Sequence, residues 1–280
     1  MNILFFGDIV GRSGREALIQ QLPILKEKLQ PDLIVVNGEN AAGGFGINPQ
    51  ICRDFYQAGV DVITTGNHIW RQREIISYIE TDPRLLRPFN YPNSQTPGQG
   101  LAKVPLQDGR YAIVINLMAS LFMHDQMNNP FFAMEEILTT YSLKNSEIAC
   151  ILVDFHGEAT SEKMAMGHML DGRVSFVVGT HTHIPTADHQ ILPHGTAYQT
   201  DAGMCGDYDS VIGMQKEIPI ARFKGEVPIQ SMKPALGIAT LCGTFVKLDD
   251  QTGLAIEIAP IRIGGRLSST LPEVKDFLPS

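Results

Sequence analysis

No CxxC pair and no cysteine-dense stretch occur in this chain. Its four cysteines, Cys52, Cys150, Cys205 and Cys242, are widely scattered. That spacing excludes a thiolate zinc module and argues against a disulfide framework, so the thiols read as reduced, mostly buried groups in a cytoplasmic protein. Positive charge is also scarce: 22 Lys and Arg stand against 30 Asp and Glu, a net charge of −8. A generic binder of phosphate backbones is usually basic, so that class is disfavoured. A nucleotide substrate is not, because bound metals invert the local field. No apolar stretch approaches the roughly 18 to 20 residues of a membrane span, and no charged, apolar and small-residue succession marks a signal peptide. Tryptophan occurs once, at Trp70, and there is no internal repeat. At 280 residues, 44% hydrophobic and 19% charged, the chain has the composition of a soluble globular protein with one large domain or two small ones.

What is present is a set of short apolar runs, each followed by polar residues with ligating atoms. The runs are Ile3-Leu4-Phe5-Phe6, Leu33-Ile34-Val35-Val36, Val60-Asp61-Val62-Ile63, Ile151-Leu152-Val153 and Val174-Ser175-Phe176-Val177-Val178. Length and β-branched or aromatic content make each a buried strand. At or beyond their ends stand Asp8, Glu39, Asn40, Asn67, His68, His156, His181 and His183.

Helical patterns alternate with the first strands. Expected helices cover 16–29, 49–58, entered through Asn48-Pro49, and 71–80. This βαβαβα order implies parallel strands with right-handed crossovers. Residues 83–100 read as a long loop. Later strands are expected at 111–116, 148–155, 174–179, 196–199, 237–248 and 254–263, the last two joined by a hairpin at Asp249-Asp250-Gln251-Thr252-Gly253. Helices are expected at 131–141 and 161–170. Residues 204–234, rich in Gly, Met, Pro and charge, suggest a lid or interface arm. The simplest architecture is α/β: one domain of two stacked mixed sheets, helices outside, with the site at the carboxyl edge of the strands, where such sheets bind ligands.

Each candidate has a plainer reading when taken alone. Asp8 suits a turn or helix cap, a strand-end Glu39 is usually solvated, and His156 suits a buried hydrogen-bonded imidazole. His181-Thr182-His183 is the sharpest local signal, since residues two apart in an extended segment face the same way. Five independent strand-end placements falling together by chance is improbable. Oxygen and nitrogen ligands without thiols suit one or two divalent transition metals.

The remaining candidates carry lower odds. Gly43-Gly44-Phe45-Gly46 is a flexible loop that can offer backbone N–H groups to phosphate. Glu158, Ser161 and Lys163 either orient His156 and its neighbours or cap a helix. Asp201 either holds an imidazole of the His181/His183 pair or shapes a turn. His124, His168, His189 and His194 read as surface or structural residues, and Met164, Met166 and Met169 as packing. Trp70 reads as core, with stacking on a base as the alternative. Arg12, Arg15, Arg71 and Lys163 are the cations available to contact a terminal phosphate, but the sequence does not place them.

In order, Gly7-Asp8, Gly38-Glu39-Asn40, Gly66-Asn67-His68, a strand ending in His156, and Gly179-Thr180-His181-Thr182-His183 resemble the motifs of calcineurin-like metallophosphoesterases. Val10 stands where most of that superfamily has a metal-binding histidine. Gly38-Glu39-Asn40 in the second motif is similar to the YmdB-like bacterial phosphodiesterases, as are Asp154-Phe155-His156 and Tyr208-Asp209-Ser210-Val211-Ile212-Gly213-Met214.

The resemblance implies the superfamily's sandwich fold with a dinuclear site. Asp8, Asn40 and His183 would hold one metal, and Asn67, His156 and His181 the other. Glu39 would bridge the two, and His68 would be the proton donor. Asn40 would take the place left by the absent first-motif histidine. The implied metals are iron, with manganese able to substitute. The implied reaction is in-line attack of a metal-bridging hydroxide on a phosphodiester, with 2′,3′-cyclic nucleotides as the substrate class. RNA ends and self-association come with the same resemblance. Two competing readings are a phosphomonoesterase or 5′-nucleotidase on the same site, and a regulatory nucleotide or RNA binder with slow turnover.

Overall fold

The strand-end residues lie along one rim because the apolar runs alternate inward and outward in register. In the computed structural model, which describes residues 1–92, 95–123, 126–226 and 231–272, the elements follow in this order. First come β1 (Asn2–Phe6), β2 (Asp8–Ile9), α1 (Gly11–Leu29), β3 (Leu33–Asn37), α2 (Pro49–Ala58) and β4 (Val62–Thr64). A short 3-10 turn (Ile69–Arg71) leads to α3 (Ile75–Tyr78), β5 (Leu101–Pro105) and β6 (Tyr111–Met118). Then come α4 (Pro130–Thr140), β7 (Ile148–His156), α5 (Thr160–Leu170) and β8 (Phe176–Thr180). The chain continues through β9 (Gln190–Ile191), β10 (Ala197–Gln199), β11 (Met204–Asp207), α6 (Glu217–Phe223), β12 (Ala239–Leu248) and β13 (Ala255–Ile263).

Seven strands form one sheet in the order β2-β11-β12-β1-β3-β4, with β13 on β12; six form the other, β5-β6-β7-β8-β10-β9. Parallel pairing of β1, β3 and β4, and of β6, β7 and β8, points their carboxyl ends the same way within each sheet.

Period-two alternation builds the layers. Ile3 and Phe5 face the second sheet and meet Leu152 and Phe176 in the central core; Phe5 and Phe176 pack edge to face, 6.3 Å between centroids. Leu4 and Phe6 face outward under Leu18, Leu22 and Leu25 of α1. The second sheet turns Ile151 and Val153 toward Met134 of α4 and Met166 of α5. The result is helices, sheet, sheet, helices, as expected. Among the described residues no helix is long and apolar enough to cross a membrane, and the four cysteines are free and buried.

Several expected boundaries move. α2 spans the expected residues, with Asn48 Oδ1 accepting from Ile51 N and Pro49 in the first turn. α1 begins at Gly11, which enters the helix at φ 60°, rather than near Glu16, and Gly14 lies in its first turn. A Cβ at Gly14 would strike the Cys205 carbonyl, so this glycine permits close helix–sheet contact instead of marking a turn. The helix expected over 71–80 shrinks to a 3-10 turn and one α-turn, since Gln72 is extended and donates to the Phe45 carbonyl. β2, β5, β9 and β11 add to the expected strands. β11 is fully buried, so the segment expected over 204–234 starts as a sheet strand and leaves the sheet only after Asp207. Residues 227–230 of that segment, and His124, lie outside the described residues.

Candidate metal centre

Each candidate ligand owes its place to a strand end. Asp8 follows β1, Glu39 and Asn40 follow β3, and Asn67 and His68 follow β4. His156 closes β7, and His181 and His183 follow β8. Gly66 lets these loops close up, since a Cβ there would collide with Glu39 Oε2 and with the His156 ring.

The side chains meet in two overlapping groups. Ligating atoms of Glu39, His156 and His181 lie within 4.8 Å of one another, and so do those of Asp8, Glu39 and His183. Glu39 belongs to both. In the first group His156 Nε2 is 3.2 Å from Glu39 Oε2, 3.0 Å from Asn67 Oδ1 and 3.2 Å from His181 Nδ1. In the second, Asn40 Nδ2 is 3.0 Å from both Glu39 Oε1 and His183 Nε2. Asp8 Oδ1 lies 3.8 Å from His183 Nε2. All eight candidates are therefore close together, including His68, whose Nδ1 is 2.8 Å from Asn40 Oδ1 and 3.5 Å from Glu39 Oε1.

The proton inventory explains what this cluster lacks. Thr180 Oγ1 donates to Asp154 Oδ1 at 2.7 Å, so it accepts from His156 Nδ1 at 2.9 Å. His156 Nε2 then carries a bare lone pair facing three other acceptors. The Ile212 carbonyl, an acceptor only, takes the proton of His183 Nδ1 at 2.8 Å and leaves Nε2 as a lone pair. Glu158 Oε2 stands 3.3 Å from His181 Nε2, an ionic contact that favours a proton there and leaves Nδ1 free. A partner behind each imidazole fixes its tautomer. Apart from Asn40 Nδ2, which reaches Glu39 Oε1 and His183 Nε2, these lone pairs face one another, a crowding that a cation relieves, and Asp8 Oδ1 is buried with no hydrogen-bond partner.

Electrostatics agree. Burial raises the Asp8 carboxyl to about 6 and Glu39 well above the usual carboxylate range, with Asp8 adding to it. Burial lowers His156 well below an ordinary imidazole, and lowers His181 to about 4. Neutral imidazoles and carboxylates starved of positive charge are the state a metal completes. This nitrogen and oxygen donor set fits borderline divalent metals without distinguishing among them.

Some expectations need correction. His181 and His183 do not lie in an extended segment. Their φ values are 101° and 67°, in the left-handed region that residues with a Cβ adopt at some strain. The chain has left β8 at Thr180, and the two imidazoles enter different groups. Asp201 touches neither imidazole: its Oδ2 accepts from Thr182 N and Oγ1, and from Lys163 Nζ at 2.9 Å. Lys163 also donates to the Thr180 carbonyl at 2.8 Å. This pair therefore clamps the His181–His183 turn from behind. Glu158 lies beside His181 as anticipated, while Ser161 is exposed on α5. Trp70 donates to Tyr91 and packs on the core. In the glycine loop, Ala42 N and Phe45 N bond within the loop, and Phe45 packs edge-on to His68 at 5.1 Å.

Sequence reasoning missed the residues behind the ligands. Asp154 is buried, accepts from Thr64, Thr180 and Asn37, and burial lifts it to about 7. Thr64, Thr180 and Asn37 are ordinary strand residues, and Ile212 contributes only a carbonyl. The one available signal was Asp154 itself, a carboxylate inside an otherwise apolar run.

A cleft of about 700 Å³ opens above the cluster. Glu39, Asn40, His68, His181 and His183 form its floor, and residues from the segment after β11 form a wall.

Comparison with known proteins gives one family and three close relatives. Residues 4–261 match the sequence profile of the family described as YmdB-like protein. A "2′,3′-cyclic-nucleotide 2′-phosphodiesterase" of Bacillus subtilis (strain 168) is 44% identical over 94% of this chain and 97% of its own length. A solved structure of a hypothetical protein from Thermus thermophilus superposes with a TM-score of 0.87 at 38% identity, covering 95% of this chain and 100% of that one. A phosphatase structure from Mycoplasma pneumoniae does so with 0.86 at 35% identity, covering 94% and 93%.

Proposed function

The chain belongs to the YmdB-like protein family, and from that premise we propose that it is a metal-dependent phosphodiesterase acting on nucleoside 2′,3′-cyclic phosphates. The observation that carries the reading is the two overlapping groups of ligating atoms that share Glu39 beneath an open cleft. Asp8, Asn40 and His183 would hold one cation, Asn67, His156 and His181 a second, and Glu39 both. Asn40 would offer its amide oxygen in place of the Nδ2 that bridges Glu39 Oε1 and His183 Nε2. When bound, such metals lower the pKa of water and offset charge on the phosphoryl oxygens. Iron, with manganese able to substitute, is the metal pair in this reading.

The chain's own residues do the rest. His68, held by Asn40 and Phe45, keeps Nε2 toward the cleft and donates its proton to the departing alkoxide. General acid help of this kind is worth roughly 10²- to 10⁴-fold. Glu158, Thr180 and the Ile212 carbonyl keep three imidazoles in the ligating tautomer. The reading also includes a single domain with the 204–234 segment at the mouth of the site, a cytoplasmic location, homo-oligomerisation and RNA ends as larger substrates. The test is a substrate panel on anaerobically purified, metal-restored protein. Faster hydrolysis of a nucleoside monoester than of the cyclic diester would replace this reading with the phosphomonoesterase or 5′-nucleotidase one. Tight nucleotide binding without turnover would replace it with a regulatory binder.

A further inference from the structure

The cations that the sequence offered for substrate selection do not reach the cleft. Arg12 pairs with Glu16, and Arg15 donates to the Ala41 carbonyl. Lys163 is buried against Asp201, and Arg71, though its charge is felt at His68, is exposed and does not line the cleft. Among the described residues lining the cleft, the one Lys or Arg is Arg222, on α6. Its neighbour Phe223 lines the same cleft and is 89% exposed, the most exposed large hydrophobic residue described. With Ile212, itself 52% exposed, and Met214, this ring makes an apolar wall facing the charged floor.

This wall is anchored. Ile218 and Pro219 of α6 are buried, Lys216 pairs with Asp209 at 2.8 Å, and Met214 bridges to Pro234. The loop before α6 supplies the Ile212 carbonyl to His183. α6 is therefore continuous with the cluster below. That cluster handles only the phosphoryl group, whereas a cleft of about 700 Å³ has room for a whole mononucleotide.

We propose, resting on the phosphodiesterase reading above, that Arg222 and Phe223 form the nucleoside-recognition wall of this cleft. The Phe223 ring stacks on the base of a nucleoside cyclic phosphate. Arg222 draws the anionic ester in, past the carboxylate of Glu158 on the rim. Stacking tolerates any base, because every base has a π-face, whereas the guanidinium acts on charge alone.

The two contributions separate by experiment. The metal-loaded full chain is assayed on a nucleoside 2′,3′-cyclic phosphate and on glycerol 1,2-cyclic phosphate, which has the same ester but no base. Phe223→Ala lowers the ratio of kcat/KM values, nucleotide over glycerol ester, by about 5- to 100-fold, while Phe223→Trp keeps it. Arg222→Gln lowers kcat/KM on both esters with the ratio preserved, and Arg222→Lys restores most of the loss. A wild-type ratio in Phe223→Ala overturns the proposal, and so does a change only in assembly state, which would mean that a second copy covers the ring. If the wild type hydrolyses neither ester, the phosphodiesterase reading falls. Calorimetry with adenosine 2′,3′-cyclic phosphate then decides the wall by itself: equal affinity of wild type and Phe223→Ala overturns it.

Discussion

His68 enters the cleft as a poor acid, and that makes its proposed role measurable. Burial, then the nearby positive charge of Arg71, lowers its imidazole to about 4. A proton donor working at neutral pH must be lifted by about three units, which corresponds to about 4 kcal/mol. A phosphate monoanion about 4 Å away, at an effective dielectric of about 20, supplies about 4 kcal/mol. The arriving substrate therefore opposes that lowering by a comparable amount. In pH profiles of the metal-loaded protein, kcat/KM reports the free enzyme and kcat the complex. The alkaline limb assigned to His68 should lie about three units higher in kcat than in kcat/KM. The separation is the test rather than either position, because the metals are present in both states. His68→Ala should lose the kcat limb and fall roughly 10²- to 10⁴-fold on a poor leaving group, much less on p-nitrophenolate. Coincident limbs, or a limb that survives in His68→Ala, would refute the reasoning.

Further outcomes follow from the buried groups. Glu39→Gln should lose the metal pair by elemental analysis, yet the metal-free variant should melt no lower than the metal-free parent, because it no longer buries a carboxylate lacking its cation. Asp154 has a folded pKa of about 7 against an ordinary 3.8, so its contribution is fully present below about pH 4 and is lost as pH rises toward 7. Urea titrations of the metal-free proteins should accordingly show Asp154→Asn gaining about 4 kcal/mol relative to the parent between pH 4 and 8. Lys163→Met leaves Asp201 buried and unpaired, and should cost about 3 to 5 kcal/mol of stability by urea denaturation. Gly66→Ala should abolish metal uptake, since the added methyl collides with Glu39 and His156; retention of two metals would show that the site can expand.

The floor of the site was legible because strands buried on both faces read as unbroken apolar runs, and their last residues announce the loops. Ile3 to Phe6 and Ile151 to Val153 carry that signal without help from tertiary context. The helix over 71–80 was not legible in the same way, because Gln72 is tied to the glycine loop at Phe45 and local periodicity cannot report such a contact. The left-handed turns at His181 and His183 were hidden for a related reason. They are imposed by Lys163, Asp201 and the Ile212 carbonyl, which reach the turn from 17, 19 and 29 positions away. Arg222 was overlooked because nothing near it in sequence suggests a site; only folding brings α6 over the candidate ligands.

The Ile212 carbonyl joins two functions that are usually kept apart. One peptide group orients His183, a proposed metal ligand, and, through the same loop, sets the stance of the cleft wall. Whatever occupant tightens that loop must strengthen the grip on the ion by the same factor, and an ion must in turn favour the occupant, because linkage is reciprocal. Titrating metal in the presence and absence of a non-hydrolysable nucleotide would expose this coupling. It would also mean that metal scarcity is felt first as weakened substrate capture, while the protein remains fully folded.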